Sequence, residues 1–129
     1  SKLAASGYNS KLAASGYHSQ LATSGDYSKL AASGYYSKLV ASGNDSQLAA
    51  SGNGSMIALN GNDSVGAAIG YNNTIKGKRG CWITLAEYDY KGKIVCVKSA
   101  KIDGENIKAD TWYKLKNGEF TVASEEESR

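Results

Sequence analysis

The sequence predicts an all-β chain: a short parallel β-solenoid of nonapeptide repeats, two to a coil, followed by a small antiparallel β module. Three observations carry that expectation. The chain opens SKLAASGYNSKLAASGYHSQLATSGDYSKLAASGYY, which says nearly the same nine residues four times. Glycine holds the seventh place of every nonamer, and leucine the third until the repeat decays. Beyond residue 79 the composition changes, and turn signals separate short apolar runs.

Laid in columns of nine from Ser1, the array runs to about Asn72, a period of the kind that marks solenoids. The first column is Ser1, Ser10, Ser19, Ser28, Ser37, Ser46, Ser55 and Ser64. The third is Leu3, Leu12, Leu21, Leu30, Leu39, Leu48, Ile57 and then Gly66. A glycine at each seventh position, Gly7 through Gly70, marks a corner where the backbone needs either a positive φ or a close approach to the next coil. Alternation inside each repeat puts the first, third and fifth residues inward and the second, fourth and sixth outward. An apolar residue every nine positions sustains no helical stripe, and a glycine per repeat would cost a helix about 1 kcal/mol each. One leucine and one alanine per strand fill a thin slab between two strands rather than a wide prism, so eighteen residues make a coil. About four coils follow, each rising roughly 4.8 Å.

A two-sided coil sorts the corner residues into two edges. Tyr17, Tyr35, Asn53 and Tyr71, with His18, Tyr36, Gly54 and Asn72 beside them, fall on one. Tyr8, Asp26, Asn44 and Asn62, with Asn9, Tyr27, Asp45 and Asp63, fall on the other. The candidate binding residues are therefore Tyr8, Tyr17, His18, Tyr27, Tyr35 and Tyr36, because tyrosine supplies rigid amphipathic contact area at low entropic cost. Tyrosine stacked on tyrosine as a structural corner is the competing reading. Lys11, Lys29 and Lys38 join the candidates as part of an outward column with Lys2, Gln20 and Gln47. Such a row can track phosphates, or keep an exposed sheet solvated.

Composition excludes more than it selects. The 129 residues carry fifteen Lys and Arg against twelve Asp and Glu, a net +3, too mild to announce a nucleic-acid binder. No segment reaches transmembrane length and no leader precedes the repeats, so a cytoplasmic location without membrane association is expected. Cys81 and Cys96 are expected as free thiols, since two cysteines and one histidine make neither a disulfide framework nor a zinc site. Eight equivalent serines share His18 as the one histidine, which is no arrangement for a nucleophile and its base. The period is similar to that of RTX calcium repeats, but corners reading SGYN, SGDY or SGND lack their aspartate pattern. Sequon matches at Asn44, Asn53, Asn62 and Asn72 fall out of the repeat itself. Flat solenoid faces suit ice, but the outward columns lack threonine rows. No enzyme activity, cofactor or metal is expected.

The array, residues 1–79, ends in an atypical coil where Met56, Ile57, Leu59, Ile69 and Ile75 enter, as a terminal coil requires. Its SVGAAIGYNNT resembles the SVAIG repeats of trimeric autotransporter adhesin heads, a resemblance that implies a β-roll. Residues 80–129 form the second module. CWITLAEYDYKGKIVCVKSAKI reads as two strands around Lys91-Gly92, DGEN as a turn, and TWYKLKNGEFTV as a hairpin at Asn117-Gly118. The polar ASEEESR end is expected to fray. Trp82 and Trp112 are expected in the core of so small a module. Lys76, Lys78 and Arg79 read as a basic junction loop.

The SKLAASG array followed by GCWITLAEYDYKGKIVCVKSAKIDGENIKADTWYKLKNGEF resembles uncharacterised repeat proteins encoded by phages and prophages of Firmicutes. That resemblance covers essentially the whole chain. It implies a small accessory protein that binds a host component, including a component of antiviral defence, as a non-enzymatic inhibitor. A virion or surface module that binds glycans in the manner of an adhesin is the alternative, and a nucleic-acid-binding repeat the second alternative. The array begins inside a repeat, so an open strand edge is expected there, which invites either another subunit or further residues ahead of Ser1; a homodimer through that end or through the C-terminal module is the expected assembly.

Overall fold

The structure, a computed structural model, describes residues 2–123. Ser1 and the polar end from residue 124 lie outside the described residues. Nine four-residue strands come first: β1 (Lys2–Ala5), β2 (Lys11–Ala14), β3 (Gln20–Thr23), β4 (Lys29–Ala32), β5 (Lys38–Ala41), β6 (Gln47–Ala50), β7 (Met56–Leu59), β8 (Val65–Ala68) and β9 (Thr74–Gly77). Four more follow: β10 (Trp82–Tyr88), β11 (Ile94–Lys101), β12 (Tyr113–Lys116) and β13 (Glu119–Val122). The described residues contain no helix. Odd strands β1 to β9 stack in one parallel sheet and even strands β2 to β10 in the other, so two nonamers make each of about five turns.

Register explains why the columns persist. Leu3 lies beside Leu21, Leu21 beside Leu39 and Leu39 beside Ile57 in one sheet; Leu12, Leu30 and Leu48 line up in the other. These inward residues meet between the sheets as one apolar cluster, flanked by the inward alanines Ala32, Ala41, Ala50 and Ala68. The first-column serines from Ser19 to Ser64 are buried as well, and serine hydroxyls close the corners. Ser19 Oγ donates to Gly16 O at 2.7 Å and Ser28 Oγ to Gly25 O at 2.8 Å. A buried hydroxyl without such a partner would cost about 1–3 kcal/mol.

The seventh-position glycine is required by close approach, not by a positive φ. A Cβ on Gly34 would stand 2.1 Å from Gly16 O, and one on Gly43 the same distance from Gly25 O. The left-handed residue of each corner sits two positions later, at Asn9, His18, Tyr27, Tyr36, Asp45, Gly54, Asp63 and Asn72. Gly66, where the leucine column breaks, answers a swap of volume across the slab. A Cβ there would meet Ile75 Cδ1 at 2.8 Å and Leu59 Cδ1 at 3.2 Å, because Leu59 stands where other repeats place a small inward residue.

The stack runs past residue 79. β10 pairs parallel with β8 and completes the fifth turn, although its columns slip by one: Trp82 pairs with Val65, seventeen residues back, whereas Val65 pairs with Gln47, eighteen back. Cys81 thereby occupies the buried first-column site, its Sγ donating to Gly61 O at 3.2 Å where a serine hydroxyl would serve. Both cysteines are free thiols. β11 then extends one sheet antiparallel to β10, and the β12–β13 hairpin extends the other beside β9. Asn117 and Gly118 both take positive φ, 53° and 76°, as the Asn-Gly pair predicts for a type I′ turn. Glu87 of β10 holds that turn, accepting the Asn117 and Gly118 N–H groups at 2.8 and 2.9 Å. In the 103–107 turn, the N–H of Ile107 and then that of Glu105 hold the Asp103 carboxyl below the usual carboxylate range.

Two expectations are corrected. Neither tryptophan is core: Trp82 is 50 % exposed on the outward side of β10, and Trp112 is half-buried under Lys76 Nζ, 5.0 Å from its ring centre. Alternation puts Trp82 outward because its neighbours Ile83 and Leu85 take the inward sites, and Tyr113 fills the hairpin's share of the core. The basic junction is not a simple loop, since Lys76 lies in β9 and Lys78 pairs with Asp110 at 2.9 Å.

Gly34→Ala is expected to lower stability by about 2 kcal/mol or more, because backbone must yield to backbone. Gly92→Ala, at a positive-φ position with nothing within 4 Å, is expected to cost about 1 kcal/mol. Urea denaturation of both variants checks the order. Gly66→Leu is expected to cost about 1–3 kcal/mol by overpacking, and Leu59→Ala in the same chain to recover part of it; a double-mutant cycle reads the coupling.

Candidate functional site

The corners are built by the backbone first. At each turn the ninth-position residue takes a left-handed φ and points its N–H along the stack: His18 N–H donates to Tyr35 O at 2.9 Å, Tyr27 N–H to Asn44 O at 2.9 Å, and Tyr36 N–H to Asn53 O at 2.9 Å. Hydrogen bonding between coils therefore continues around the edges. Side chains of successive coils then stand one above another.

On the edge after the even strands, Tyr17 stacks on Tyr35 with ring centres 5.3 Å apart, and His18 on Tyr36, also at 5.3 Å. These four rings form a two-by-two aromatic plate. Tyr36 lies over Gly54 as well, whose added Cβ would stand 2.7 Å from the ring. Farther along, Asn53 Oδ1 accepts the Tyr71 N–H at 2.8 Å, Tyr71 meets Tyr88 edge to face, and Tyr88 Oη donates to Ile69 O. Tyr71, Tyr88 and Tyr90 with Asn53, Asp89 and Lys91 border an open hollow of about 440 Å³.

The opposite edge is polar. Asp26 Oδ1 accepts the Asn44 N–H at 2.7 Å and Asn44 Oδ1 the Asn62 N–H at 2.8 Å, so each carboxylate or amide caps the coil beyond it. Tyr8 and Tyr27 belong to this edge, exposed, away from the aromatic plate. Of the nine candidate residues, then, the fold unites Tyr17, His18, Tyr35 and Tyr36 and separates the other two tyrosines. It also divides the lysines. Lys11 and Lys29 are register partners in the even sheet, while Lys38 lies beside Gln20 and Met56 in the odd one. One continuous basic row along a single face does not form.

The conformations of the aromatics set these corners apart from the rest. Asparagine, aspartate and glycine visit the left-handed region readily; a bulky aromatic there is an outlier, with a cost of order 1 kcal/mol. Tyr27 and Tyr36 take it at φ 59° and 58°, in positions that other repeats fill with Asn9, His18, Asp45, Gly54, Asp63 and Asn72, residues that adopt it more readily. Tyr27 and Tyr36 are still 56 % and 57 % exposed, so burial does not offset the strain.

Residues the corner columns did not flag lie on the outward side of the even sheet. Val65, Ile69, Trp82, Ile94 and Val97 are all exposed there. The signal was present for Val65, which replaces the lysine or glutamine of the outward second column, and for Ile69, which replaces an outward serine. Trp82 was hidden by the one-residue slip. Among the described residues no three or more His, Cys, Asp or Glu side chains gather where a metal ion would be held. No family model matches the chain, and no curated protein and no solved structure matches it.

If the corner tyrosines serve recognition, Tyr27→Asn raises stability by roughly 0.5–1 kcal/mol, since Asn relieves the strain and no ring contact is lost. Thermal unfolding beside the parent chain checks the sign. A destabilised Tyr27→Asn would instead make that tyrosine structural.

Proposed function

We propose that the chain is a non-enzymatic binding protein of phage origin that acts by stoichiometric attachment to a host component, in its specific form an inhibitor of an antiviral defence complex. The observation that carries the binding role is the exposed aromatic plate of Tyr17, His18, Tyr35 and Tyr36, in which Tyr36 holds left-handed backbone where a less costly residue would build the same turn. Tyr17, His18, Tyr35 and Tyr36 supply a pre-ordered contact surface, held by parallel stacking before any partner arrives. Affinity then suffers little ordering cost on binding. The first-column hydroxyls support a role without chemistry, because those of Ser10, Ser19, Ser28, Ser37 and Ser46 are committed to glycine carbonyls. The origin rests on the resemblance of the SKLAASG array and its C-terminal segment to phage and prophage repeat proteins.

A second reading, a surface module that binds glycans, is favoured by the hollow beside Tyr71, Tyr88 and Tyr90, where aromatic faces stand next to Asn53 and Asp89. Sugars are held by such a combination of ring faces and polar side chains.

Affinity capture from infected host cells, with the parent chain and a Tyr17→Ser/Tyr36→Asn variant side by side, separates the readings. The expected result is one host complex retained at a fixed stoichiometry by the parent and lost at least tenfold by the variant. An absent partner, or one held equally by both chains, overturns the proposal. Glycan-array binding abolished by Tyr90→Ser would move the function to the second reading.

A further inference from the structure

The outward face of the even sheet is apolar at one end and hollow at the other. Register partners share a face, so Val65, Trp82 and Lys101 stand in one outward row, and Ala86 with Val97 and Tyr88 with Ile94 in others. Ile69, two residues past the outward Ala67, joins them. Val65, Ile69, Trp82, Ile94 and Val97 therefore make an exposed apolar ridge across β8, β10 and β11. Across β2, β4 and β6 the same face sinks into an open trench of about 430 Å³, floored by Ala13, Ala31 and Ala49, walled by Ser15, Ser33 and Ser51, and bounded at the β8 end by Ala67 and the ridge residue Ile69. The outward residues of these strands include no carboxylate; their charges are Lys11, Lys29 and Lys101.

We propose that this face docks on a second copy of the chain, the ridge of each copy entering the trench of the other. The trench runs from β2 and the ridge to β11, the two meeting at Ile69, so a two-fold axis parallel to the strands between β6 and β8 satisfies both contacts at once, as a closed isologous dimer requires. Under that axis Trp82 meets the second copy's Lys29 and Ala31, Val65 meets Gln47, Ile69 meets Ser51, and Val97 meets Ser15, so the apolar ridge packs on small residues and on the stems of long ones. Cation–π attraction suits the lysine beside the indole ring. Six strands at roughly 4.8 Å and about six residues at roughly 3.3 Å give a face of ~500 Å² per copy. The total of ~1,000 Å² is the lower limit for specific association, so the dimer is reversible. One repulsion remains, Lys11 opposite the second copy's Lys101 at the ends, and it supplies a test of register that burial alone would not.

Sedimentation equilibrium over a range of micromolar concentrations, on the full chain, reads the outcome. The parent is expected to pass from monomer to dimer, and Trp82→Ser at the ridge and Ala31→Glu in the trench each to weaken association at least tenfold. Both sites are exposed, and circular dichroism confirms an unchanged fold. Lys11→Glu is expected to tighten the dimer by roughly threefold or more, because the new carboxylate faces Lys101. A parent that stays monomeric would assign the ridge to some other occupant and overturn the proposal. So would a dimer indifferent to Trp82→Ser or Ala31→Glu, or one weakened by Lys11→Glu.

Discussion

The fold depends on backbone resting against backbone at the seventh position of each repeat. With 2.1 Å between a notional Cβ on one coil and the glycine carbonyl of the coil before it, no side chain of any kind fits. That contact holds the corners at sheet spacing, so hydrogen bonds between coils continue around each turn through the ninth-position N–H groups and the Asp and Asn side chains beside them. Exact repetition at eighteen residues follows from it, and repetition turns every sequence column into a physical row. Inward rows become a leucine spine and a line of serine-closed corners; outward rows become surfaces.

Those surfaces differ because alternate repeats belong to opposite sheets and opposite edges. One edge collects stacked rings, while the other is tied together by Asp26 and Asn44 capping their neighbours. The even face passes from small residues to large ones along the stack, where the odd face keeps Lys2, Gln20 and Lys38. Two tyrosines, Tyr27 and Tyr36, sit at left-handed corners that cost stability. The scaffold is thus regular enough to tolerate a few unfavourable residues, Tyr36 on the aromatic edge and Tyr27 on the polar one.

The array ends by trading volume and then register. Leu59 enlarges one side of the slab and Gly66 yields on the other, so the core stays filled while the strict leucine column stops. One residue is then lost at the corner before β10, and Cys81 takes over the buried serine site. Antiparallel strands follow, tied to the last coil by Glu87, whose carboxylate grips the Asn117-Gly118 turn.

Much of this was legible in the residues themselves. A leucine every nine positions, an invariant glycine and an Asn-Gly between apolar runs determined a two-repeat coil, its inside and outside, and the terminal hairpin, because each is a local steric or periodic property that the chain carries wherever it is placed. Which of the two glycine explanations applied, the split of Lys11 and Lys29 from Lys38, and the outward turn of Trp82 were decided only by tertiary structure. Each depends on what lies one coil away: a carbonyl where a Cβ would go, a neighbour eighteen residues distant, a deletion of one residue that turns an expected core tryptophan to solvent.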